Sequence, residues 1–128
     1  MKLVLIGLFG VLGVFARYFF GILIGKYLAP PFPYGTFVIN LTGAFFIGVI
    51  YVLGTERSAI PPDLRIGLLV GFFGGYTTFS SYCLESLRLV EEAQYWYAAA
   101  YFILSPVLGF LAVLGGTVLT RTIIGGAI

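Results

Sequence analysis

Two groups of polar side chains stand inside apolar runs, and their spacing sets each group on a helix face. Thr36 and Asn40 are four residues apart, hence on one face, and Gly43 and Ala44 make that face narrow. The Asn40 amide offers two N–H donors and an acceptor oxygen. It serves either as a hydrogen bond between helices or as a donor lining an ion path. Further on, Thr78, Ser81, Glu85 and Arg88 recur at helical spacing as a polar stripe, with Phe79 and Tyr82 three residues apart beside it. Hydroxyls donate hydrogen bonds and aromatic edges carry partial positive charge, a combination that can contact an anion. Core packing of the two rings and a local ion pair between Glu85 and Arg88 are the plainer alternatives. Arg17 lies ~21 Å along a helix from Leu3, at about 1.5 Å per residue. It is either a functional intramembrane charge or an anchor reaching the headgroups, a role that suits Lys26 better at the segment's end.

Other chemistries are excluded by what is missing. The 128 residues contain no histidine and a single cysteine, Cys83, which leaves no transition-metal cluster with ordinary ligands and no internal disulfide. The serines lack a nearby histidine or lysine base, and the glycines between Gly71 and Gly75 lack a phosphate-binding lysine, so no enzyme is expected. Net charge is +2 with the basic residues scattered, which gives no nucleic-acid patch.

The elements that must position these groups lie in a membrane. A chain that is 60% hydrophobic and 9% charged reads as an integral membrane protein, and its length allows one transmembrane domain, residues 1–128. Four apolar segments, at about 3–28, 35–54, 64–90 and 95–119, each approach the ~20 residues that cross a bilayer core. Short helix-breaking connections begin at Ala29, Thr55 and Glu91, so consecutive helices are expected as antiparallel neighbours. Lys2 and the apolar run after it have the look of a signal peptide, but hydrophobicity resumes after Arg17, and a retained first helix is expected.

Within the third segment, Gly74 and Gly75 favour non-helical conformations and the threonines after them resist continuing the helix, which predicts a break near residues 74–78 at mid-membrane. Irregular backbone at that depth survives only where it is buried in protein, lines an aqueous path or holds an ion. In the fourth segment Tyr95, Trp96 and Tyr97 suit the membrane interface, and Tyr101 and Ser105 share a face. Pro106 is expected to kink this helix and free the carbonyl one turn earlier.

Small residues recur four apart at Gly67, Gly71 and Gly75 and at Ala112 and Gly116, allowing close helix approach within a subunit or between two. Lys and Arg near the segment ends divide unevenly, with Lys2, Arg57, Arg65 and Arg121 on one side and Lys26 and Arg88 on the other. That bias is weak and compatible with insertion both ways. So short a chain has too little wall to enclose a polar route by itself, which points to oligomerisation.

With these residues assembled, the chain resembles the Fluc (CrcB) family of fluoride channels over essentially its whole length. The resemblance rests on GVLGVFARY from Gly10 to Tyr18, GTFVINLTGAFFIG from Gly35 to Gly48, and GFFGGYTTFSSYCLE from Gly71 to Glu85. It implies an all-α membrane protein of four transmembrane helices, the third broken near mid-membrane, assembled as an antiparallel dual-topology homodimer in the lipid of the cell's inner membrane. The implied activity is passive, fluoride-selective export from the cytoplasm. Asn40, Phe79, Tyr82, Ser80, Ser81, Tyr101 and Ser105 are the implied pore residues, and Arg17 is implied in vestibule electrostatics. Backbone carbonyls of Gly74 and Thr77 are implied to hold a structural sodium ion. Two residues depart from the family pattern. Tyr82 stands where phenylalanine is usual, keeping the ring edge and adding a hydroxyl that either donates to fluoride or obstructs it. Cys83 stands where serine is usual and is the weaker donor. A small multidrug-type four-helix exporter is the alternative reading; that class uses a first-helix carboxylate, and this first helix contains no Asp or Glu.

Overall fold

An apolar run free of proline carries Lys2–Tyr27 as one continuous helix, α1. After the proline-rich turn, α2 spans Tyr34–Tyr51 and continues as a π-helical turn over Val52–Glu56. The last long helix, α6, spans Tyr95–Ile123 with Pro106 inside it. In the computed structural model, which describes residues 1–125, these three helices are long and apolar enough to cross a membrane. Residues 126–128 of the expected domain lie outside the described residues, and no strand occurs among those described.

The stretch between α2 and α6 is helical in pieces. Pro62–Ile66 forms α3, Gly67–Phe72 is π-helical, Phe73–Tyr76 forms α4, and Phe79–Glu91 forms α5. Helical geometry is abandoned at Thr77 and Thr78, which are extended with φ/ψ of −82°/157° and −148°/120°. Gly74 and Gly75, expected to begin the departure, are themselves helical. Gly75 is there for close approach instead: a Cβ on it would come within 2.7 Å of the Gly10 carbonyl, and one on Gly71 within 2.6 Å of the Ile6 carbonyl.

The same small-residue logic sets the pairing of elements. Consecutive segments do touch, but the closest packing joins alternate ones, α1 with π-helical Gly67–Phe72 and α4, and α2 with α6. A Cβ on Gly13 would collide with the Phe72 carbonyl, and one on Gly116 with the Phe45 carbonyl, so backbone lies directly on backbone at both seams. Gly43 similarly makes room for the Thr77 side chain, which brings α2 against the break. At one end of the bundle Arg121 pairs with Glu56, and Arg65 donates to the Gly54 carbonyl at 2.8 Å.

Candidate functional site

The break is held from α2. Asn40 Nδ2 donates to the Thr78 carbonyl at 3.0 Å, and the Thr78 amide donates back to Asn40 Oδ1 at 2.8 Å. One side-chain amide thus pairs with one backbone unit in both directions, satisfying groups that would be costly to leave bare in an apolar setting. The Ser81 amide donates to Thr78 Oγ1 at 3.2 Å, an N-cap for α5, while the Thr78 hydroxyl donates to Ser81 Oγ at 3.0 Å.

The interruption leaves a run of carbonyls behind. In an uninterrupted α-helix the Thr78 N–H would bond to Gly74 O and the Ser81 N–H to Thr77 O. Both N–H groups are engaged elsewhere, and neither Phe79 nor Ser80 bonds back across the break, so the carbonyls from Gly74 to Thr77 lose their helical donors. Neutral, hard oxygen donors of this kind suit a small hard cation. Among the described residues no group of three or more His, Cys, Asp or Glu could bind a metal through side chains.

Beside the break lies a cavity of about 340 Å³ bordered by Asn40, Thr77, Thr78, Phe79, Tyr82 and Ser105. The Oγ of Ser105 is buried with no hydrogen-bond partner. Of the two Asn40 N–H bonds one is spent on Thr78, leaving a second donor uncommitted in a residue that borders the cavity. The Phe79 and Tyr82 rings sit 5.8 Å apart, centroid to centroid, and differ sharply in setting. Phe79 is 76% exposed, whereas Tyr82 is buried. The Tyr82 hydroxyl donates at 2.6 Å to the carbonyl of Phe102, so its proton is not directed at the cavity.

A second, wider cavity of about 410 Å³ takes in Arg17, Thr36, Thr78, Ser81 and Glu85, with Thr78 bordering both spaces. Glu85 does not pair with Arg88. Its carboxylate receives the Thr36 hydroxyl on Oε1 and the Tyr101 hydroxyl on Oε2, each at 2.7 Å, which ties α5 to α2 and α6. Tyr101 is fully buried and serves as this donor. The Glu56–Arg121 pair is the one ion pair among the described residues.

The structure therefore brings Asn40, Phe79, Tyr82 and Ser105 to one cavity and Arg17 and Ser81 to the other. Ser80 is exposed on α5 and borders neither space, and Cys83 is likewise exposed. The carboxylate link through Thr36 was missed by reading Glu85 against its own helix. Thr36 stands one turn from Asn40, and that shared face was the available signal.

The family model described as "CrcB-like protein, Camphor Resistance (CrcB)" matches residues 4–117. A relative from Nitrobacter winogradskyi, named "Fluoride-specific ion channel FluC", is 46% identical over 114 residues, covering 89% of this chain and 90% of the relative. Relatives of the same name from Solibacter usitatus and Desulforapulum autotrophicum are 44% and 39% identical, covering 94% and 95% of this chain and 99% and 98% of their own lengths.

Proposed function

The chain belongs to the CrcB-like family, and from that premise we propose that it is a fluoride-selective passive ion channel that lets fluoride leave the cytoplasm. The observation that carries this reading is Ser105 Oγ, a buried hydroxyl without a partner, in a residue that borders the same cavity as Asn40, whose amide keeps one N–H uncommitted. A buried polar group left unpaired costs about 1–3 kcal/mol. An anion admitted beside Ser105 accepts a hydrogen bond from the hydroxyl and relieves the cost.

Fluoride is small and strongly hydrated, so a path must replace its water with donors. Ser105 and Asn40 supply N–H and O–H, and the edges of Phe79 and Tyr82 add partial positive charge. Arg17, at the wider cavity, draws anions to the mouth, while two hydroxyl bonds offset the negative charge of Glu85. Fluoride that enters as neutral hydrofluoric acid ionises inside and is trapped. A passive path suffices to release it, since the inside-negative potential drives anions outward.

The working form is an antiparallel homodimer in the inner membrane, its subunits inserted both ways, with residues 62–91 as the fourth crossing. Support comes from Phe79, whose ring stands open at the subunit surface beside the proposed path and needs a wall. A two-fold axis in the membrane plane brings two breaks together. The carbonyls of Gly74 and Thr77 from both copies then form an all-oxygen cage for a structural sodium ion. Ser81 extends the donors toward the mouth, Tyr101 acts through Glu85, and Ser80 faces the surface that a second copy would cover.

Growth provides the test. Bacteria lacking their own fluoride exporter should regain growth in millimolar fluoride when they express this chain, and should not regain it with Asn40→Asp. Equal growth with and without expression of membrane-inserted protein removes the proposal.

A further inference from the structure

Proline inside a helix leaves one carbonyl without its donor, and in α6 that carbonyl is identifiable. Position 106 would donate to Phe102 O, but Pro106 has no N–H. The Tyr82 hydroxyl, from α5, donates to that same oxygen at 2.6 Å. Two further contacts fix the ring: it lies nearly parallel to the Phe102 ring at 6.0 Å and edge-on to Tyr101 at 5.1 Å. Tyr82 is 7% exposed, so no bulk water competes for its proton.

We propose that Tyr82 is a positioning residue whose hydroxyl latches α5 to the carbonyl that Pro106 frees, and so holds the Tyr82 ring edge at the ion path. Phenylalanine beside an α6 without Pro106 would need no latch; tyrosine and Pro106 work as a pair. The geometry decides between the two roles open to this hydroxyl. A phenol has one proton, and here it is spent on Phe102. Toward an anion the oxygen presents only lone pairs, which repel, so Tyr82 meets fluoride through its ring hydrogens. The latch lies three residues before Glu85, whose bond to Tyr101 ties the next turn of α5 to the same part of α6. The two ties together fix the rotation of α5 about its axis, and with it the direction in which the aromatic edge points.

The inference rests on the fluoride-channel reading for its flux measurement but not for its stability measurement. The test is a double-mutant cycle on the full-length protein, reading thermal unfolding in detergent and fluoride efflux from liposomes. Y82F strips the Phe102 carbonyl of its donor and should lower both the unfolding temperature and the flux, the latter by roughly tenfold if one buried hydrogen bond's worth of positioning is lost. P106A restores an N–H at position 106, which can bond to Phe102 O within the helix. In that background Y82F should cost less than about twofold in flux, with little further loss of stability. Pro106 borders the cavity but its apolar ring, like the alanine methyl, offers an anion no donor, so rescue there is a result that loss of an anion ligand would not give. Should P106A fail to assemble, Pro106→Val supplies the same N–H without adding a side-chain donor to the cavity and completes the cycle. Equal losses from Y82F in both backgrounds, or no loss in either, overturn the latch. Absence of fluoride flux in the wild type would instead sink the channel reading, while the stability cycle would still decide the latch.

Discussion

The side-chain amide of Asn40 and the backbone of Thr78 pair as two peptide groups do, with an N–H···O bond in each direction, at 2.8 and 3.0 Å. This pairing lets the chain leave helical geometry without stranding the Thr78 amide or carbonyl. It makes Asn40 a brace for the break and leaves one of its N–H groups uncommitted.

Asn40→Asp separates these duties. A carboxylate still accepts from the Thr78 amide but cannot donate to the Thr78 carbonyl, and it places a negative charge where an anion must pass. At an effective dielectric of about 20, a like charge ~4 Å away costs an anion roughly 4 kcal/mol, or about three decades of flux. Liposome efflux from Asn40→Asp protein that assembles normally should therefore fall to background. Wild-type flux in that variant would remove Asn40 from the path.

Ser105→Ala should split stability from function in the opposite way. The hydroxyl has no protein partner to lose, so the unfolding temperature should hold or rise slightly. A charge-assisted hydrogen bond is worth about 1.5–3 kcal/mol, so fluoride efflux should drop roughly ten- to hundredfold. Undiminished efflux would mean that the ion never meets this hydroxyl.

Much of this site was visible as local periodicity, and what escaped was tertiary. Spacing alone set Thr36 with Asn40 and arranged Thr78, Ser81 and Glu85 as a stripe. Periodicity sees only one helix, so it offered Arg88 as the partner of Glu85. The actual donors, Thr36 and Tyr101, come from helices 49 and 16 residues away in sequence. Gly74 and Gly75 were legible as special but not for the right reason. Glycine serves equally as a helix breaker and as a bare surface for a neighbouring backbone, and Gly75 does the second against Gly10. The carbonyl freed by Pro106 was legible too, whereas its donor, Tyr82 on another helix, was not.

Two adjacent glycines of α6 give a packing test. A Cβ on Gly116 would run into the Phe45 carbonyl, while one on Gly115 meets nothing within 4 Å in the subunit. Gly116→Ala should destabilise the protein by about 1–3 kcal/mol or more through overpacking. Gly115→Ala should be neutral or stabilise by up to roughly 1 kcal/mol from helix propensity. Thermal unfolding ranks the pair, and equal effects would contradict the α2–α6 seam.

The proposed dimer and its sodium ion can be challenged together. Replacing sodium by a large organic cation in detergent should lower the unfolding temperature and shift the protein toward monomer on size exclusion, because Gly74 and Thr77 carbonyls would then face one another without a cation. A single-cysteine tag at a terminus, in a Cys83→Ser background, should label from both faces of the membrane in cells. Labelling from one face only, with a dimer indifferent to sodium, would rule out the antiparallel assembly.

Fluoride-selective passive conduction is the claim on which the rest depends. Purified protein should be reconstituted into liposomes loaded with equal fluoride and chloride, and both anions followed with selective electrodes after a potassium ionophore removes the opposing voltage. Fluoride should leave rapidly, far faster than from protein-free liposomes, with chloride retained. Fluoride release no faster than from empty liposomes, or chloride leaving at a similar rate, would contradict it.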